Sequence, residues 1–168
     1  MDNKPLLSIA IPTYNRADFL KNLLNCIAPQ AKESGLVQIC ISNNSSTDNT
    51  REVVINFIEK YPGIIEYSEN EKNLGYDANF LKVMEMSQGD FVWLFGDDDS
   101  VVENGVKKVI DFVKNHSNKD TGLIVLANSL YVIDNKTGKK TIYDDAMERN
   151  KDSVFKMNRD DIVGGMFY

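Results

Sequence analysis

Three consecutive carboxylates, Asp97-Asp98-Asp99, follow the apolar run Phe91 to Phe95 and a single glycine, Gly96. Adjacent carboxylates repel one another, and a fold that gathers three of them calls for a cation. Their oxygens are hard ligands suited to Mg2+ or Mn2+, ions that keep waters and complete their shell with phosphate oxygens. The plain alternative is a solvated acidic turn in which Asp98 or Asp99 caps the following helix. Two further polar clusters, each also behind an apolar run, tip the balance toward metal. Pro12-Thr13-Tyr14-Asn15-Arg16 places an aromatic just past a strand-ending proline, where it can stack on a base or simply pack at a helix start. Stacking of that kind is worth roughly 1–3 kcal/mol in single-strand binders. Ser42-Asn43-Asn44-Ser45-Ser46-Thr47-Asp48 is a run of amides and hydroxyls, suited to a helix-capping turn whatever else it does. A fourth segment, Asn73-Leu74-Gly75-Tyr76-Asp77-Ala78-Asn79, puts a glycine at a helix start, where backbone can approach an anion.

These clusters need elements to position them. Leu6 to Ile11, Leu36 to Ile41, Phe91 to Phe95 and Leu123 to Ala127 are short apolar runs of the kind that form strands buried on both faces. Ile64 to Ser68, after the Pro62-Gly63 turn, reads as a weaker strand. Helical spacing links Phe19, Leu20, Leu23, Leu24 and Ile27, with Asn15 as the expected N-cap and Asp18 three residues on. Val53, Val54, Phe57, Ile58 and Tyr61 form a second face, opened by Thr47 or Asp48. Phe80, Leu81 and Met84 form a third, and Val102, Val106, Val109, Ile110 and Val113 a fourth. Strands alternating with helices predict an α/β fold with a mostly parallel sheet and helices on both faces. Ligands then bind beyond the carboxyl ends of the strands, where the first three clusters would meet.

The pattern changes near Ala127. Ser129 to Ile133 and Lys140 to Tyr143 flank Asp134-Asn135-Lys136-Thr137-Gly138 and read as a hairpin. The charged tail ends in the apolar run Ile162 to Tyr168, which reads as an element cut short and so as part of a longer protein. A length of 168 residues suits one domain, with 1–127 as βα units and 128–168 as a hairpin and the start of a further part.

The formal net charge of −6, with no basic stripe, argues against nucleic acid as partner. No apolar run approaches the roughly 20 residues of a membrane helix, and the polar start shows no signal peptide. Cys26 and Cys40 lack metal spacing and are expected to be reduced core residues of a cytosolic protein. His116, at a polar helix end, reads as surface filler.

In order and spacing, the clusters resemble family 2 glycosyltransferases over nearly the whole chain. Ser8 to Arg16 is similar to the family's opening strand and nucleotide loop. Asn43-Asn44-Ser45-Ser46-Thr47-Asp48 resembles its Asp-Asp-Gly-Ser-x-Asp pattern, with Asn for both leading Asp. Asn73-x-Gly75 resembles its Asn-x-Gly segment, and Gly89-Asp90 through Asp99 its Gly-Asp strand and Asp-x-Asp-Asp motif. The Asn-Asn and Gly-Asp-Asp-Asp variants resemble abequosyltransferase-like enzymes of bacterial O-antigen synthesis.

The resemblance implies a GT-A fold, a nucleoside-diphosphate sugar donor, and Mn2+ or Mg2+. Carried over by position, Pro12, Thr13, Tyr14, Asn15, Arg16, Asn43, Asn44, Asn73, Gly75, Asp97 and Asp98 would bind substrate. Within that set Pro12 and Tyr14 would contact the base, Asn44 its hydrogen-bonding edge, and Asp98 the ribose or sugar side. Asp99 would hold the metal. An amide at 44 offers both a donor and an acceptor, which raises the hypothesis of a CDP-sugar in place of a UDP-sugar. The acceptor would be a saccharide or a lipid-linked saccharide, in cell-surface polysaccharide synthesis at the cytoplasmic face of the plasma membrane, with peripheral membrane association. Transfer with inversion needs a carboxylate base, which in this family comes from the acceptor half. Asp160 and Asp161 are acidic but do not match that motif, so the catalytic base is unassigned and these residues alone are expected to bind donor and transfer poorly.

The rivals lack support in the residues. A receiver-type domain needs acidic residues after its first strand. Dinucleotide-binding and nucleotidyltransferase domains need a glycine-rich turn there. A degenerate module that binds nucleotide-sugar and metal without turnover is the non-enzyme alternative, because of Gly96 and the unassigned base.

Overall fold

The computed structural model describes residues 4–116, 130–133 and 140–143. The chain divides into two compact units, 1–115 and 116–168, each taken by itself below.

In the first unit, strands β1 (Leu7–Thr13), β2 (Val37–Asn43), β3 (Ile65–Glu69) and β4 (Phe91–Leu94) alternate with helices α1 (Ala17–Ser34), α2 (Thr50–Lys60), α3 (Tyr76–Met86) and α4 (Gly105–His116). The sheet order is β3-β2-β1-β4, and every pairing in it is parallel. All four carboxyl ends therefore lie on one edge. Ile9, Ile11, Ile39 and Ile41 point to one face, where they meet Leu20, Leu23, Leu24 and Ile27 of α1, Val53, Val54 and Phe57 of α2, and Val106 and Ile110 of α4. On the opposite face Ala10 and Cys40 pack against Val83 of α3, with Met86 beside them. This is the expected two-faced sheet. Small residues under α3 let that helix approach closely. Burial also pushes the Cys40 thiol up to about 11, which makes it an inert core residue, and both described cysteines are free.

Two helical faces differ from expectation. Phe19 is exposed, and the Arg16 guanidinium lies 5.4 Å from its ring centroid. On α3 the buried residues are Asn79 and Val83, while Leu81 and Met84 face outward. One turn of that helix is thus turned inward by a polar residue, because Asn79 has hydrogen-bond partners at the end of β2 (below). Val92 and Leu94 of β4, on the α3 side, are also left partly exposed.

Cross-loop capping differs as well. Neither Arg16 nor Asn49, the N-cap residues of α1 and α2, caps with its own side chain. Asp48 does both tasks. One oxygen accepts from the Ala17 N–H at 3.0 Å, and the other from the Thr50 N–H at 3.1 Å and the Thr50 hydroxyl at 2.5 Å. Gln30 of α1 similarly ties down α4, accepting from the Val106 N–H at 3.1 Å and donating to the Val102 carbonyl at 3.2 Å. Burial acts to raise the Asp48 carboxyl, but the Thr50 hydroxyl and the Ala17 and Thr50 N–H groups outweigh it and hold it below its usual value. Its stabilisation is therefore complete above the ordinary Asp pKa of about 3.9 and is lost as pH falls through the depressed value. Asp48→Ala should lower stability by about 1–2 kcal/mol at neutral pH, with a smaller deficit in acid. Thermal melts of both proteins at pH 7 and pH 3 check this, and an equal deficit at both values would refute it.

Gly89 is required by space. A Cβ there would come within 2.6 Å of the Ser8 nitrogen and 2.8 Å of the Leu7 carbonyl carbon, so only glycine lets the turn before β4 pass against β1.

Of the second unit, strands β5 (Leu130–Ile133) and β6 (Lys140–Tyr143) are described. They pair antiparallel, with Leu130 opposite Tyr143, as the hairpin reading expected. The expected strand Leu123 to Ala127 and the tail from Asp144 lie outside the described residues.

Candidate donor site

The carboxyl edge of the sheet carries all four polar clusters. β1 delivers Thr13, and the loop behind it delivers Tyr14, Asn15 and Arg16. β2 delivers Asn43 and Asn44, and Asn44 is tied to β1 through its N–H to the Thr13 carbonyl at 2.9 Å. β4 leads into Gly96 and the three aspartates, and the Phe95 N–H bonds to the Ala10 carbonyl at 2.9 Å.

The aspartate triplet already has a cation, and it is Arg16. The guanidinium donates to Asp98 at 2.7 Å and to Asp97 at 3.2 Å. The Asp98 hydrogen bond and the Asp97 charge hold it firmly protonated. Asp97 is buried and also accepts from the Thr13 hydroxyl at 2.8 Å. Burial raises its pKa, with Asp98 adding to the rise and Thr13 and Arg16 opposing it. Its ionisation therefore weighs against folding increasingly as pH climbs from the ordinary carboxylate range through the raised value.

Thr13 and Asp97 thus form a clasp between β1 and β4. They were expected to bind substrate, but each is turned inward to the other. Asp98 and Asp99 are exposed at this edge. Asp99 uses one oxygen to accept the Gly96 N–H at 3.1 Å. A Cβ at Gly96 would sit 3.0 Å from oxygens of both Asp98 and Asp99. Glycine in place of the family's first Asp therefore leaves room for the two carboxylates.

The amides are also engaged. Asn44 is buried, and both of its N–H bonds are used, to Asn73 Oδ1 at 2.9 Å and the Gly75 carbonyl at 3.1 Å. Its oxygen accepts from Asn70 Nδ2 at 3.1 Å and the Leu74 N–H at 2.9 Å. Asn44 is expected to meet the base, and in this structure all of its amide hydrogen bonds go to other residues of the chain.

Asn43 is buried too, donating to the Tyr67 hydroxyl at 3.0 Å and accepting from the Ser46 N–H at 3.0 Å. Asn15, expected as cap or ligand, accepts from the Thr47 N–H at 2.7 Å and donates its own backbone N–H to Ser46 Oγ at 2.8 Å. It stitches the first loop to the second. Asn15 and Ser45 both have positive φ, 53° and 63°. Ser45 holds the place of the glycine in the family pattern, where that conformation carries no steric cost.

Of the remaining expected site residues, Tyr14, Arg16, Asn73, Gly75, Asp98 and Asp99 are exposed at this edge, and Pro12 is half-buried in β1. Gly75 has φ 83° and opens α3. Asn73 Oδ1 is held by Asn44 and by the Gly75 N–H at 2.8 Å. With the oxygen so fixed by a backbone donor, its amino group faces away from the network. Asn79, the last residue of the fourth segment, is buried and central to this network, and so is Asn70, whose only signal in the sequence is an excess of Asn after β3.

The order of these loops on a parallel sheet is matched by known proteins. The model of glycosyl transferase family 2 matches residues 8–165. The chain belongs to that family. Abequosyltransferase RfbV of Salmonella typhimurium is 43% identical over 101 residues, 60% of this chain and 30% of that protein. An uncharacterized glycosyltransferase of Mycoplasma genitalium, MG025, is 30% identical over 82% of this chain and 44% of its own length. This glycosyl transferase chain thus spans less than half of either curated relative. Among solved structures, Staphylococcus aureus TarS 1–349 in complex with UDP superposes with a TM-score of 0.60 at 25% identity, covering 66% of this chain and 32% of that one. The shared fold is the α/β, GT-A type sheet. No described helix is long and apolar enough to cross a membrane.

Proposed function

We propose that residues 1–127 form the donor-binding half of a glycosyltransferase, and that 128–168 begin the acceptor part. The enzyme would move a sugar from a nucleoside diphosphate to a saccharide or lipid-linked acceptor in cell-surface polysaccharide synthesis, with inversion, at the cytoplasmic face of the membrane. One observation carries this reading: Tyr14, Arg16, Asn73, Asp98 and Asp99 are exposed at the carboxyl edge, beside the buried clasp and amide network. Tyr14 is suited to stack on a base, Asn73 to donate to a carbonyl or hydroxyl, and Asp98 to accept from ribose. The abequosyltransferase relative and the UDP complex of TarS support donor binding of this class.

The residues fit a divalent metal of a particular kind. Among the described residues no group of three or more Asp, Glu, His or Cys is placed to hold an ion. One or two carboxylates, Asp99 with Asp98 beside it, are what Mg2+ or Mn2+ accepts when waters and phosphates supply the rest. When bound, such an ion would act as a Lewis acid toward the leaving diphosphate. Asp97 would stay out of its shell, held by Thr13.

Thermal melting against UDP, CDP, GDP and dTDP, with and without Mn2+, tests the reading. One nucleotide should raise the midpoint only with metal, by an amount equivalent to about 2.7 kcal/mol at a hundredfold excess over its dissociation constant. Asp99→Asn should abolish that rise. A metal-independent rise, or one that survives Asp99→Asn, would remove Asp99 as ligand. A second reading, a binding module without turnover, draws on Gly96 at the family's first Asp. Metal-dependent nucleotide binding without sugar transfer by the full-length protein would favour it.

A further inference from the structure

Beneath the exposed Asn73–Gly75 turn lies a ladder of buried side chains with no charged member. Ser42 Oγ donates to Asn79 Oδ1 at 2.7 Å, and Asn79 Nδ2 donates back to the Ser42 carbonyl at 3.0 Å. Asn70 Nδ2 then bridges Asn79 Oδ1 at 2.9 Å and Asn44 Oδ1 at 3.1 Å. Asn44 passes the chain to Asn73 and Gly75. Ser42, Asn44, Asn70 and Asn79 are all buried, and among the described residues no buried side-chain polar atom lacks a partner.

Each amide has a single allowed orientation. Asn79 must present its nitrogen to a backbone carbonyl, and Asn44 its oxygen to the Leu74 N–H. Asn70 faces two acceptors, so only its amino group fits there. Among the described residues it is the one whose side chain bonds to both halves, the Ser42–Asn79 pair on one side and Asn44 on the other. Its own N–H is anchored to the Asn43 carbonyl at 2.9 Å.

We propose that Asn70 is a positioning residue for the donor site. With the Leu74 N–H it holds the Asn44 oxygen in place, and through Asn44 it steadies the Asn73–Gly75 turn with the Asn73 amino group outward. Asn70 touches no ligand in this role. The nucleotide half of the proposal rests on the donor-site reading above; the positioning half rests on the hydrogen bonds alone.

The test uses the whole chain, with Asn70→Ala compared with a destabilised control, Phe57→Leu, whose side chain lies in the core on the opposite face of the sheet. Amide hydrogen exchange is read at Leu74 and Gly75 without ligand, at a temperature where all three proteins are folded. Asn70→Ala should speed exchange at both amides at least tenfold over wild type, and Phe57→Leu should not. Equal exchange in Asn70→Ala and wild type overturns the proposal, as does equal acceleration in the control. UDP and CDP are then titrated with Mn2+ by calorimetry. Asn70→Ala should weaken the tighter nucleotide at least tenfold and narrow the ratio between the two, while Phe57→Leu leaves both constants unchanged. Unchanged constants in Asn70→Ala would overturn the link to the donor site. If wild type binds neither UDP nor CDP, GDP and dTDP are titrated in the same way; binding of none of the four sinks the donor-site reading, and the exchange result still decides the positioning role.

Discussion

Asn44→Asp will destabilise the chain by roughly 3 kcal/mol at neutral pH, although aspartate is the residue that the family pattern carries at this place. The substitution removes two N–H donors and turns a carboxylate oxygen toward Asn73 Oδ1 and the Gly75 carbonyl, both acceptors, in a buried position with no cation among its hydrogen-bond partners. In a folded unit of this size that corresponds to a fall in melting temperature of about 10 °C or more. The new carboxyl will be pushed above the ordinary range, so the deficit should shrink as the solution is acidified and the group takes up a proton. Melting curves at pH 7 and pH 4 are the measurement. A variant that melts with wild type at both values would mean that the Asn44 amide is free to meet a ligand after all.

Arg16→Met should raise the affinity for Mn2+, measured without nucleotide, by at least tenfold. In the wild-type chain the guanidinium already neutralises Asp97 and Asp98, at 3.2 and 2.7 Å. A divalent ion must share or displace that contact. Removing the positive charge leaves two uncompensated carboxylates beside Asp99, and it also removes the guanidinium from over the Phe19 ring. The same substitution should lower the melting temperature in metal-free buffer, because Asp97 stays buried with only the Thr13 hydroxyl as partner. Added Mn2+ should recover part of that loss. Electron paramagnetic resonance of free Mn2+ gives the affinity directly, and equal affinities in the two proteins would show that Arg16 does not compete for this site.

Both expectations depend on pairings that no motif announces. The aspartate run was legible as a place in need of a cation, because like charges in sequence are like charges in space. That the cation is Arg16 was not legible, since 81 residues separate Arg16 from Asp97. The helix caps follow the same rule. Asn15 and Asp48 were read as caps of the helices that follow them in sequence, as local spacing suggests. Asp48 does serve the helix that follows it, and also a second helix start 31 residues back along the chain; Asn15 bonds to the second loop rather than to its own helix.

The sequence by itself determined the alternation of strands and helices, the parallel sheet, the hairpin and the edge at which the polar clusters meet. Those follow from apolar run length and periodicity, which are local properties that backbone geometry converts into elements. It also determined the family, because the order and spacing of the clusters survive without any knowledge of contacts. Only the tertiary structure decided which polar side chains remain exposed. Asn43, Asn44, Thr13 and Asp97 look as available in the sequence as Tyr14, Asn73, Asp98 and Asp99. A hydrogen-bonding group is available only when its partners are not already supplied, and here those partners come from other strand ends, brought within reach by the parallel register.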